Sequence, residues 1–206
     1  MIILTVDKAE DWMKEIQKRM FDHKDQLTEL DQAIGDGDHG INMARGFHEV
    51  VAKVNHTSYD SVADVLKSAA MTLMAKVGGA SGPLYGTAFL KMSLAMQGKE
   101  VDQDVFKQAI NDAVDGLRAR GKADFGEKTM YDVWKQVSDF LHEEDVNDWH
   151  GILEVCQATI EDTREMAATK GRASYLNERS KGHVDPGSMS SFYIFEALAE
   201  VLDLEE

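Results

Sequence analysis

Asp31 is followed by Gly35-Asp36-Gly37-Asp38-His39-Gly40, so three carboxylates share one short, glycine-bearing stretch. Carboxylates held this close on a flexible loop repel one another, and a bound hard cation relieves that repulsion. An EF-hand starting at Asp36 needs Gly at its sixth position and Glu at its twelfth; this chain has Ile41 and Phe47 there, which excludes the calcium loop. Mg²⁺ takes one or two protein carboxylates and completes its octahedral shell with water and phosphate oxygens. Three Asp on one loop therefore suit one or two Mg²⁺ ions that also hold a phosphate chain. An Asx- and glycine-rich turn between two helices has the same local composition, so the loop alone leaves both readings open.

The elements that must position this loop are helices. Apolar residues recur three or four apart through most of the chain, and no convincing run of strict alternation is present. The first stripe starts at a capping box of Asp7 and Glu10 and runs through Trp12, Ile16 and Met20 to Leu30, up to the acidic loop. Further stripes run from Ile41 to Val54, from Val62 to Val77 after a cap at Asp60 or Ser61, and from Leu84 to Met96. The last four run from Val105 to Leu117, Met130 to Leu141, Trp149 to Met166, and Phe192 to Leu202.

Eight helices on short connections pack antiparallel, so alternate loops share an end. The loops after helices one, three, five and seven, with their margins, hold 12 of the 16 glycines and both prolines. Simple chain punctuation would spread Gly and Pro over both ends. One end is thus marked as a site, and the same parity brings the amide-rich starts of four helices there, which favours anions.

The second of these loops, Val77-Gly78-Gly79-Ala80-Ser81-Gly82-Pro83, reads as an amide-lined turn with Ser81 as a hydroxyl donor. The third, Arg120 to Met130, follows a near miss of a Walker A at Gly116 to Ala123, but Ala123 stands where the magnesium-binding hydroxyl belongs. The fourth, Lys170 to Gly187, is long enough to act as a lid and carries Arg172, Arg179 and Lys181. Arginine suits a transferring phosphoryl group because its planar fork keeps its charge and binds oxygens bidentately. His39 and His183 lie in these loops as candidate donors, without zinc-pair spacing.

The chain's 206 residues and 43% hydrophobic content suit one domain over residues 1–206. A net charge of -15 argues against nucleic acid and anionic membranes as partners. The single cysteine, Cys156, excludes an internal disulfide framework and reads as a packed core thiol. No run of 18 apolar residues exists, and Met1 to Lys8 lacks the features of a signal peptide, so a cytoplasmic protein is expected.

The motifs Asp31-x4-Asp36-x-Asp38-His39-Gly40-x-Asn42-Met43, Gly78 to Thr87, Arg120-Gly121-Lys122, Lys128-Thr129-Met130 and Lys170 to Gly187 fall in order along the chain. Together they resemble the L subunit of dihydroxyacetone kinase, of the type that depends on the phosphotransferase system. The resemblance implies an all-α fold, an antiparallel up-and-down barrel of eight helices with ADP and two Mg²⁺ ions at one end. It implies Asp31, Asp36 and Asp38 as magnesium ligands. Around ADP it places His39, Gly40, Ile41 and Asn42, then Ala80, Ser81, Gly121 and Met130, then Arg172 with Asp185, Pro186 and Gly187. Arg172 would also serve the transfer itself. Asn177 stands where the family usually has glycine. The chain has no room for a fused dihydroxyacetone-binding domain, so the resemblance implies a separate subunit. Such a subunit relays a phosphoryl group from a phosphohistidine protein of the phosphotransferase system, through bound ADP, to dihydroxyacetone on a partner subunit. A nucleotide-exchanging kinase subunit and a non-catalytic ADP-binding regulator remain alternatives, and a homodimer is left open.

Overall fold

The computed structural model describes residues 2–143 and 148–203. A short strand β1 (Ile2–Leu4) leads into α1 (Val6–Asp22) and α2 (Lys24–Ile34), followed by α3 (His39–Val54), α4 (Val62–Lys76) and α5 (Ser81–Met96). Strand β2 (Val101–Asp102) precedes α6 (Gln103–Gly121), α7 (Met130–Glu143), α8 (Trp149–Glu165), a 3-10 segment (Arg172–Ser180) and α9 (Pro186–Asp203). The all-α class is as expected, but the count of eight is not: the described residues form nine α-helices.

The extra helix arises because the first stripe breaks at His23. The His23 ring stacks on Tyr193 of α9 at 4.3 Å, which pins the chain where it turns into α2. The helix start also differs from expectation. Thr5, not Asp7, caps α1, its hydroxyl accepting from the Lys8 amide at 3.3 Å, because Val6 is already helical. Ser61 caps α4 by accepting from the Asp64 amide at 3.2 Å. The absence of alternation missed the antiparallel β1/β2 pair, whose three- and two-residue strands are too short to carry a period.

Each helix packs on its successor, and α9 returns to α1 and α2, so the bundle closes into a ring. Trp12, Phe47, Phe89, Phe106, Trp134 and Phe195 are fully buried within one continuous core. A buried phenylalanine here contributes about 2–3 kcal/mol from its removed apolar surface alone. Cys156 lies in this core at 0% exposure, and burial pushes its thiol up, which suits packing and not nucleophilic attack. Among the described residues, no helix is long and apolar enough to cross a membrane.

Candidate functional site

The connections after α2, α4, α6 and α8 meet at one end of the ring. They enclose a cleft of about 170 Å³ lined by Asp31, Asp36, Asp38 and His39, by Gly78 to Ser81, by Lys128 to Met130, by Lys170 to Ala173, and by Asp185 to Gly187. A second cleft of about 360 Å³ shares Ala80, Leu84, Thr129, Met130, Lys170 and Gly171 with the first and continues past Pro83, Leu117, Gly121, Ala123 and Tyr131. Carboxylates and basic side chains are gathered around the first, whereas mostly apolar side chains line the second. The glycine-bearing loops thus share one end of the ring, as their alternation along the chain predicts.

Asp31, near the end of α2, is only 8% exposed. Its Oδ2 accepts from the amides of Asp38 at 2.9 Å and His39 at 3.0 Å, so it caps the start of α3 across the loop. Gly35 is required beside it, since a Cβ there would lie 2.1 Å from Asp31 Oδ1. Asp31, Asp36 and Asp38 each offer one oxygen, all within 4.8 Å of one another. Three hard oxygen donors at this spacing fit Mg²⁺ and relieve mutual repulsion only with a cation between them. In the protein alone that cation is partly supplied by Arg172, whose Nη2 lies 2.8 Å from Asp36 Oδ2.

Gly79 (φ 67) and Gly171 (φ 63) both line the first cleft, and a Cβ on either would meet nothing within 4 Å. Their backbones thus stand open to a ligand. Among the described residues, no side chain caps the start of α5, which leaves the first-turn amides at Ser81 facing the same space. Asp185 instead caps α9, its Oδ2 accepting from the Ser188 amide at 2.7 Å.

Not every expected residue reaches the cleft with its side chain. Ile41 is 52% exposed and lines a separate groove with Phe21 and Arg45. Gly40 is packed on α2, where a Cβ would lie 2.0 Å from the Lys24 carbonyl. Asn42 accepts from Arg45 at 2.8 Å beneath Gly78. These three lie where α3 begins, and none of them lines the first cleft. Of the basic cluster on the fourth loop, Arg172 lines the cleft while Lys181 pairs with Glu178 at 2.7 Å.

The expected lid folds as the 3-10 segment and docks on α2, with Ala173 and Ala168 buried against Ile34 and Leu176 packed alongside. Asn177 takes φ 48 there, a backbone that glycine adopts more cheaply, which accounts for the glycine preference at this position.

Lys128 was visible in the sequence only as one member of a motif. It is 1% exposed, has φ 62, and the three N–H donors of its ammonium are shared among the carbonyls of Thr163 (2.6 Å), Met166 (3.1 Å), Ser180 (2.8 Å) and His183 (2.6 Å). One buried cation thus ties the end of α8 to the end of the lid. Burial pulls its pKa down, opposed by the charge of Asp185. Asp132 organises the loop before it, accepting from the amides of Gly126 (2.5 Å) and Thr129 (2.7 Å).

Two buried groups at the cleft move stability in opposite directions with pH. Burial holds the His39 imidazole down at about 4, against the opposing pull of Asp31 and Asp38. Burial pushes Asp185 up to about 7, opposed by its hydrogen bonds from Ser188. Folded His39 refuses a proton that the unfolded chain takes below about 6.5, so its contribution falls as pH drops from 6.5 towards 4. Folded Asp185 keeps a proton that the unfolded chain has released above 3.8, so its contribution falls as pH rises from about 4 to about 7. Each slope approaches about 1.4 kcal/mol per pH unit, and the two largely cancel. Asp185→Asn should therefore unmask the His39 slope: in urea unfolding with a metal chelator, the variant gains stability between pH 4 and 6.5 more steeply than the parent. Equal slopes in both proteins would contradict the assignment.

Fold and cleft together define a ring of α-helices with an acidic, amide-lined cleft at one end. The chain belongs to the DAK2 domain family, whose model matches residues 33–200. It is 47% identical to the PEP-dependent dihydroxyacetone kinase 1, ADP-binding subunit DhaL, of Listeria innocua, over 96% of this chain and 98% of that one. It is 43% identical to the PTS-dependent dihydroxyacetone kinase, ADP-binding subunit DhaL, of Lactococcus lactis, over 97% of this chain and 100% of that one. The crystal structure of the dihydroxyacetone kinase of C. freundii shares the fold, with a TM-score of 0.77 at 23% identity over 96% of this chain and 35% of that chain. Its complex with AMP-PNP and Mg²⁺ gives a TM-score of 0.72 at 23% identity over 93% of this chain and 33% of that one. This chain thus spans about a third of those longer structures.

Proposed function

We propose that this chain is the ADP-binding subunit of a dihydroxyacetone kinase, a phosphotransferase that relays a phosphoryl group from a phosphohistidine of a phosphotransferase-system protein to dihydroxyacetone held on a partner subunit. The observation that carries this reading is the convergence of three carboxylates and the open backbone of two glycine turns on one cleft that shares a wall with a slot lined mostly by apolar side chains. It is supported by the similarity, over nearly the whole chain, to subunits named as ADP-binding and PEP- or PTS-dependent. On this reading residues 1–206 act as one cytoplasmic nucleotide-binding domain.

When bound, ADP and two Mg²⁺ ions supply the phosphoryl acceptor and most of the neutralising charge. Asp31, Asp36 and Asp38 hold the metal. The backbone from Gly78 to Ser81 would receive the phosphates, and Asp185, Pro186 and Gly187 would border the nucleotide at the opposite wall of the cleft. Gly121, Leu84 and Met130 bound the slot that suits a nucleobase. Arg172, which here pairs with Asp36, would be placed to bind phosphoryl oxygens and offset the charge that develops in transfer.

Arg172→Lys keeps the charge and loses the planar fork, so nucleotide binding should persist while turnover falls on the order of 10²-fold. Single-turnover transfer from the phosphohistidine donor to ADP-loaded protein, and from ATP-loaded protein to dihydroxyacetone on the partner subunit, measures this, and undiminished transfer in both would remove Arg172 from the chemistry. The function itself is tested by mixing the chain with dihydroxyacetone, its substrate-binding partner, and either ATP or a phosphoenolpyruvate-driven phosphohistidine donor. The relay reading expects dihydroxyacetone phosphate to accumulate catalytically only with the phosphohistidine donor. Turnover driven by free ATP would show an exchanging kinase, and no product with either donor would show a non-catalytic ADP-binding regulator.

A further inference from the structure

A buried polar chain runs from the cleft into the core. Ser81 Oγ lies 3.0 Å from His39 Nδ1, His39 Nε2 lies 2.9 Å from Ser190 Oγ, and Ser190 Oγ lies 2.6 Å from the Tyr85 hydroxyl. Tyr85 in turn meets Ser191 Oγ at 2.9 Å, which also accepts from Trp134 Nε1 at 3.0 Å. Ser81 and His39, at the near end, line the cleft; Tyr85, Ser190 and Ser191 are fully buried. Resting on the Mg-ADP reading above, we propose that Ser190 is a positioning residue: it fixes the tautomer of His39 so that Ser81 presents its hydroxyl proton to a phosphate oxygen.

The donors and acceptors of the chain leave one consistent placement of its protons. A neutral imidazole has one donor nitrogen and one acceptor nitrogen, so the chain has two possible directions. The Gly187 carbonyl is within reach of the hydroxyls of Tyr85 (3.0 Å), Ser190 (3.1 Å) and Ser191 (2.8 Å), but it has only two lone pairs. One belongs to the Ser191 amide, four residues on in the α9 ladder, and the other to the Ser191 hydroxyl, the shortest of the three. Tyr85, as the more acidic hydroxyl, sends its proton along its shortest link, to Ser190 Oγ. The Ser190 proton then has His39 Nε2 as its remaining acceptor. The ring's own proton must sit on Nδ1 and donate to Ser81 Oγ, which leaves the Ser81 proton free to point into the cleft. The opposite tautomer would spend that proton on Nδ1 and turn oxygen lone pairs towards a cleft that already holds three carboxylates. An anionic phosphate gains a donor in the first direction and meets repulsion in the second. The ring stays neutral in both.

The test is nitrogen NMR of the full chain labelled at histidine, at pH 8 with a metal chelator, the His39 ring being assigned by its loss in His39→Gln. The expected spectrum has a protonated Nδ1 and a bare Nε2; a protonated Nε2 overturns the proposal without any variant or nucleotide. Ser190→Ala should shift the ring to the Nε2-protonated form and weaken Mg-ADP binding about tenfold, the loss of one charge-assisted hydrogen bond. Ser81→Ala should weaken binding similarly and leave the proton on Nδ1. Because Ser190 acts through Ser81, adding Ser190→Ala to Ser81→Ala should cause no further loss, whereas additive losses would show a merely structural role and overturn the proposal. If the parent chain binds no Mg-ADP at all, the functional reading fails while the tautomer remains independently readable.

Discussion

Replacing Asp36 and Asp38 together by asparagine should abolish magnesium-dependent nucleotide binding and leave the helical ring standing. Asp31 is deliberately spared, because its carboxylate caps α3 through the amides of Asp38 and His39 and its loss would confound folding with binding. Asp36 and Asp38 are exposed and contribute oxygens to the cluster. Groups that merely support metal ligands are worth 10–100-fold in affinity, so removing two of three ligands should cost more than about 100-fold. Without divalent ions the variant should melt close to its parent, since relief of the repulsion beside Asp31 offsets the loss of the Asp36–Arg172 pair. Calorimetric titration of ADP with and without Mg²⁺, beside a thermal melt, reads both effects. Unchanged affinity would place the metal elsewhere.

The second large effect is expected at Lys128. Lys128→Met keeps much of the side chain's volume and removes the ammonium that joins Thr163, Met166, Ser180 and His183. Four carbonyls converge on this one buried cation, and removing the charged partner of a buried polar cluster costs about 3–5 kcal/mol. The loss should also release the lid, because Ser180 and His183 bracket its end, so limited proteolysis should cut between Lys170 and Gly187 before the rest of the ring. Chemical denaturation gives the stability, and a variant as stable and as protease-resistant as its parent would show the ammonium to be idle.

Much of this arrangement was legible from spacing alone. The acidic run from Asp31 to Gly40 and the unequal sharing of glycine between the two ends are local, compositional signals, and the helical period carries the ring. The rest was hidden for physical reasons. The break at His23 depends on a ring stack with Tyr193, 170 residues away in sequence, which no local pattern encodes. Lys128 reads as one more basic residue until its positive φ turns it inward. Ser190 and Tyr85 look like ordinary helix residues, and only the folded chain brings Ser190 to His39 and Tyr85 to Ser190. Ile41 shows the converse error: backbone proximity to the site was readable, but the direction of its side chain was not.

The most direct check of the central claim needs no variant. The chain is purified in Mg²⁺ without added nucleotide, passed through gel filtration, denatured in acid, and its released nucleotide is quantified by chromatography. The account predicts close to one ADP per chain, retained through the column and lost when the metal is chelated. A chain that emerges empty with its metal present, or that holds nucleotide equally well without metal, contradicts it.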